Sequence, residues 1–153
     1  MATSGDNSKK ALISALNGAL ADTLALYLKT KNFHWHVAGP RFRDLHLLFD
    51  EQALQLLGTV DAIAERVRKN AEYTLTSIGS VASTTQIADQ DDVTITADAM
   101  LKELHDDNLK LHARLKEVKE TSEEAGDNAT SGIVDEWADQ CEERIWFLAQ
   151  ASK

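Results

Sequence analysis

The chain has 153 residues, 43% of them hydrophobic, and a formal net charge of −9. That length suits one domain with a modest core, and the composition is globular rather than fibrous or disordered. The acidic balance argues against a folded body that holds nucleic acid by charge and suits one that attracts cations.

In chain order, Met1 to Ser8 is small and polar and reads as a disordered amino-terminal tail, leaving residues 9–153 as the folded domain. It contains no apolar signal core, so no secretory signal is expected. From Lys9 to about Trp35, Leu12, Ile13, Leu16, Leu20, Leu24, Tyr27 and Leu28 recur at three- and four-residue steps, the period of a helix. Gly39-Pro40 ends this unit. A second helix is expected from Phe42 to Asn70, with Arg66, Arg68 and Lys69 favouring the negative end of its dipole. Its apolar series Leu45, Phe49, Leu56, Val60, Ile63 and Val67 faces the core.

Ala71 to Val93 is rich in Ser, Thr, Ala and Asp and is too long for a bare loop, so a crossover holding a short helix is expected. A third helix starts near Thr96, an N-cap with Asp98 in the first turn, and carries Met100, Leu101, Leu104, Leu109, Leu111, Leu115 and Val118. Gly126 stops it, and a fourth helix covers about Ser131 to Gln150. Cys141, the one cysteine, excludes an intrachain disulfide. It shares an apolar arc with Trp137 and Leu148 and reads as a buried thiol compatible with the cytoplasm. No apolar stretch reads as long enough to span a membrane. The fold class is all-α: a four-helix bundle with a long crossover, containing a short helix, between the second and third helices.

The residues between Asn32 and Arg68 carry the chemistry. His34, His46, Asp50, Asp61 and Glu65 are imidazoles and carboxylates, a donor set that suits iron, manganese or zinc. On one helix, His46, Asp50, Asp61 and Glu65 fall within an arc of roughly 100°, with Leu54 and Leu57 between the two polar pairs. Carboxylates packed against leucines are costly unless paired or metal-bound. Asp50 and Asp61 lie roughly 16 Å apart along such a helix, whereas metal–ligand bonds are about 2 Å. One helix therefore cannot bring both pairs to one ion. A second copy packed antiparallel can, about a two-fold axis between Gln55 and Leu56, with His46 opposite Glu65 and Asp50 opposite Asp61. Each such dimer holds two identical sites.

These residues resemble the Dps family, the mini-ferritins of the ferritin-like superfamily. The family's pattern H-x11-H-x3-D from one subunit and D-x3-E from its neighbour is matched by His34, His46, Asp50, Asp61 and Glu65 in type and spacing, and Trp35 follows the first histidine. Gly79 to Ala88 and Arg144 to Leu148 extend the resemblance over nearly the whole chain. It implies a ferritin-like bundle, with Ser80 to Ile87 as the place of the short helix. It further implies a homo-dodecamer with ferroxidase sites at two-fold contacts and iron as the metal. Fe(II) and hydrogen peroxide would be substrates, an Fe(III) mineral would fill the shell, and Trp35 would serve as an electron donor. The expected setting is cytoplasmic, with association with the nucleoid left open.

Other features read more plainly. His36 is off the ligand series and reads as a surface residue, and His105 and His112 as solvated. Asp127, Asp135, Asp139, Glu142 and Glu143 form a second acidic stripe, which the resemblance connects with pores and the shell interior. The tail carries only Lys9 and Lys10, so DNA binding is expected to be weak or absent, although a DNA-compacting shell with secondary iron binding is the alternative. Other di-iron bundles build their site from Glu-x-x-His motifs, and none occurs here.

Overall fold

The computed structural model describes residues 3–153. It contains five helices: α1 Ser4–His36, α2 Phe42–Lys69, α3 Ile78–Thr84, α4 Ala97–Glu124 and α5 Asn128–Ala151. Among the described residues there is no strand. Short loops at 37–41 and 125–127 make two helical hairpins, α1 with α2 and α4 with α5. α1 also packs on α4, while α2 and α5 meet sparsely. The core is continuous, from Leu12 and Leu16 through Phe33, Phe49 and Ile63 to Leu104, Leu111, Trp137 and Leu148.

Two polar clamps show why the connection between the hairpins is long. At one end, Arg41 donates to the Ala151 carbonyl at 2.9 Å and to Asp98 at 2.5 Å. At the other, Arg66 and Asn70 both donate to Asp127 at 3.0 Å. The starts of α2 and α4 therefore share one end of the bundle. The chain must travel back along α2, whose 28 residues span roughly 42 Å, before α4 can begin. That traverse is tied down after α3. Asp22, fully buried on α1, accepts from Thr85 Oγ1, the Gln86 N–H, Gln86 Nε2 and Arg114 Nε, at 2.8, 2.9, 2.8 and 3.1 Å. Lys29 donates to the Ala88 carbonyl at 2.9 Å and pairs with Asp107 at 2.8 Å and Glu103 at 3.1 Å. Ile87 is buried beneath.

Several sequence expectations are corrected. The proposed tail at 1–8 is helical from Ser4, because Thr3 and Asp6 form a reciprocal capping box. Met1 and Ala2, the rest of that tail, lie outside the described residues. The short helix is Ile78–Thr84 rather than Ser80 to Ile87, since Ser77 and Ser80 make the capping box and Thr85 begins the turn onto Asp22. α5 starts at Asn128, three residues early, because the Asp127 side chain caps it. Leu28 and Leu109, members of the apolar series that marked their helices, are exposed. α1 is, by length and composition, long and apolar enough to cross a bilayer, contrary to the sequence reading, and more than half of its most apolar stretch is buried inside the bundle.

Candidate metal centre

The α1–α2 hairpin builds half of the expected site. Gly39, at φ +110°, takes a backbone conformation that side chains disfavour and lets the chain reverse within five residues. Phe33 and Phe49 pack beneath the turn with ring centroids 6.5 Å apart. On the same two helices, His34 and His46 stack face to face, at 3.8 Å between centroids and 13° between planes.

The two rings are cross-tied. His34 Nδ1 lies 2.6 Å from the His46 carbonyl oxygen, and His46 Nδ1 lies 2.7 Å from the His34 carbonyl oxygen. A carbonyl can only accept, so both Nδ1 atoms carry a proton, and in the neutral rings Nε2 is the nitrogen that holds the lone pair. That is the arrangement a metal ligand needs, with the orienting hydrogen bond already made. Phe42, one turn before His46, stacks on its ring at 5.0 Å.

Asp50, one turn beyond His46, completes this half. Its Oδ1 is 3.8 Å from His34 Nε2 and is paired with the Lys31 ammonium. The hydrogen bond from Lys31 holds the Asp50 carboxyl below its ordinary range, against the opposing effect of burial, and the neighbouring positive charge adds to it.

Asp61 and Glu65 stand apart from this cluster, on the same helix but some three turns away. Both are exposed, and among the described residues neither side chain makes a hydrogen bond or ion pair. Between the two halves, Leu54 is 54% and Leu57 43% exposed. An open apolar groove of about 610 Å³ lies between α1, α2 and the crossover, lined by Leu24, Leu28, Val60, Ala64 and Val81. Among the described residues no three His, Cys, Asp or Glu side chains gather into one metal-holding group. One subunit thus pairs His34 with His46 and brings Asp50 to 3.8 Å from His34, short of a closed three-ligand group, and leaves Asp61 and Glu65 exposed.

Trp35 is 59% exposed at the end of α1, beside the cross-tied pair in sequence but turned outward. His36 is exposed, its Nδ1 against the Asn32 carbonyl at 2.9 Å. His105 and His112 each face an acid, Asp106 and Glu142, at 3.5 Å. Of the second acidic stripe, Asp127 is occupied in capping α5 and Asp135 in pairing with Lys119. Cys141 is fully buried, and burial raises its thiol pKa, as an inert thiol requires. Sequence reasoning passed over Lys31 and Phe42. The signal was present: Lys31 precedes His34 by three residues and Phe42 precedes His46 by four, the spacings that share a helix face.

The sequence pattern of the ferritin-like domain family matches residues 13–152. Among curated proteins, the DNA protection during starvation protein of Brevibacillus brevis is 32% identical, over 87% of this chain and 89% of the relative. A crystal structure of a Dps protein from Bacillus brevis superposes with TM-score 0.91 at 27% identity and full coverage of both chains. A Dps protein from Vibrio cholerae O1, described as a member of a broad superfamily of ferritin-like diiron-carboxylate proteins, superposes with TM-score 0.89 at 26% identity, over 96% of this chain and 92% of that one. With the fold, the family pattern and a relative of this identity and coverage in agreement, the chain belongs to the Dps family of ferritin-like proteins.

Proposed function

We propose that this protein is an iron-storing mini-ferritin that oxidises Fe(II) at sites shared between subunits. His34, His46 and Asp50 of one copy and Asp61 and Glu65 of a second hold the Fe(II) substrate. The observation that carries this reading is the cross-tie of His34 and His46, which leaves two imidazole lone pairs free beside a carboxylate. The exposed stripe of Leu54, Leu57, Asp61 and Glu65 supports the second half: an antiparallel copy buries the leucines and brings its acids to the histidines. Two neutral imidazoles with carboxylates suit Fe(II) and stabilise Fe(III) more strongly, because the anionic donors favour the higher charge. The superfamily description of the Vibrio cholerae protein, a diiron-carboxylate protein, points the same way.

Hydrogen peroxide is the proposed oxidant. Two Fe(II) ions give one electron each; the O–O bond breaks, two protons are taken up, and two waters leave. No one-electron step then releases hydroxyl radical. Trp35, exposed beside the ligands, supplies an electron when only one iron is at hand. The Fe(III) product mineralises inside a dodecameric shell in the cytoplasm, which protects the cell against oxidative stress.

The test is anaerobic loading with Fe(II) followed by peroxide. About two irons oxidised per peroxide supports the reading; a ratio near one, with radical trapped in solution, overturns it. DNA protection, the role printed in the name of the Brevibacillus relative, is proposed here to act through removal of iron and peroxide rather than by compacting DNA. The net charge is −9, and Lys9 and Lys10 sit in the ordered first helix rather than in a basic tail. A gel shift at physiological salt is expected to show little complex with duplex DNA; a tight complex there would favour the DNA-compacting alternative.

A further inference from the structure

Lys31 lies one turn before His34 on α1, and its ammonium is paired with Asp50 Oδ1, the oxygen that also faces His34 Nε2 at 3.8 Å. Its side chain is only 18% exposed, and Asp50 is its one ion-pair partner among the described residues. The ammonium thus holds the carboxylate oxygen that also faces His34 Nε2.

Charge makes this position consequential. In the intersubunit site proposed above, on which this inference rests, Asp50 meets Asp61 and Glu65 of the partner subunit. Three carboxylates and two neutral imidazoles brought together without metal would repel strongly, and like charges at a contact oppose association. Lys31 supplies a cation already in contact with Asp50. We propose that Lys31 is a built-in substitute for the metal: it neutralises Asp50 while no iron is bound, so that two subunits close on each other without metal, and it releases Asp50 when Fe(II) arrives. Assembly is thereby uncoupled from iron supply, and metal affinity is lowered because each incoming ion must displace the ammonium.

Cobalt(II), a redox-silent divalent probe, tests this in the full-length protein through its visible absorption and through mass by light scattering. Wild type is expected to keep one assembled mass both with chelator and with Co(II). Lys31→Gln is expected to assemble with Co(II), to fall to smaller species with chelator, and to bind Co(II) roughly three- to tenfold more tightly, the scale of losing one partly exposed competing ion pair. Lys31→Arg, which keeps the charge, should restore assembly in chelator. Adding Glu65→Gln to Lys31→Gln should restore it too, by removing one of the repelling acids, an outcome that a merely misfolded Lys31→Gln would not show. If Lys31→Gln assembles in chelator as wild type does, the inference is overturned. In that event, loss of Co(II) binding in Asp61→Asn with Glu65→Gln leaves the intersubunit reading standing. Unchanged Co(II) binding in that variant overturns the shared site and the role of Lys31 together.

Discussion

His34 and His46 hold each other in place: each ring donates its Nδ1 proton to the other residue's backbone carbonyl, at 2.6 and 2.7 Å, while the rings stack at 3.8 Å. The pair is one mechanical unit, since each residue supplies both a ligand and the acceptor that orients the other ligand. The carbonyls are backbone, so substitution leaves the acceptors present but removes the ring that fixes the local geometry. Losses should therefore be strongly non-additive. His34→Ala and His46→Ala are each expected to lower Co(II) affinity by about 10- to 100-fold, and the double variant little further. Titration followed by cobalt absorption checks this, and losses that multiply would show two independent ligands instead.

The symmetry of the site can be tested by complementation. One chain lacks His46 and Asp50; another lacks Asp61 and Glu65. Each alone should build only dead sites. Refolded together, mixed dimers contain one site that collects both lesions and one that collects none, so fast peroxide-driven oxidation should return, up to half of the wild-type sites in each mixed dimer. A site made within one subunit cannot be rescued in this way. Confirmed mixed dimers without activity would refute the shared site.

Asp127 joins three elements. Burial opposes its ionisation, but hydrogen bonds from the Thr130 hydroxyl, the Thr130 N–H, Asn70 and Arg66 outweigh that and hold its carboxyl far below the ordinary range. A carboxylate with a depressed folded pKa contributes stability that is present above its unfolded value, near about 4, and is lost as pH falls toward the folded one. Asp127→Asn is therefore expected to cost about 1–2 kcal/mol at neutral pH. The gap to wild type should narrow below about pH 4. Denaturant titrations at both pH values check this; a gap that stays constant would remove the electrostatic account.

Gly18 lies against a side chain from another helix. A Cβ at this position would lie 2.8 Å from Arg114 Cζ, and Arg114 is a donor to the fully buried Asp22. Gly18→Ala would normally favour a helix. Here it should destabilise by about 1–3 kcal/mol, because displaced Arg114 leaves part of a buried carboxylate unpaired. The crossover that Asp22 holds through Thr85 and Gln86 should then lose amide-exchange protection before the four long helices do. Unchanged stability in Gly18→Ala would show that Arg114 has room to move.

Much of this protein was legible in the chain because helical period, caps and ligand spacing are local. The steps of four from His46 to Asp50 and from Asp61 to Glu65 place each pair on one face, and Thr96, Gly126 and the aliphatic series mark helices close to their observed bounds. The roughly 16 Å between the pairs follows from helix rise alone, which is why a second copy could be inferred without a fold.

The tertiary structure decided what depends on residues far apart in sequence. Which nitrogen of His34 carries its proton is set by a carbonyl twelve positions away, and Asp50 meets Lys31 across nineteen. Asp127, read as part of an acidic face, is instead an N-cap because α2 delivers Arg66 and Asn70 to it. The tail became helix because Thr3 and Asp6 cap each other, a local device outweighed in the sequence reading by polar composition. Period and spacing are properties of one helix and can be counted along it. Proton position, ion pairing and burial arise only where helices meet, because they depend on which donors and acceptors the fold brings within hydrogen-bond reach.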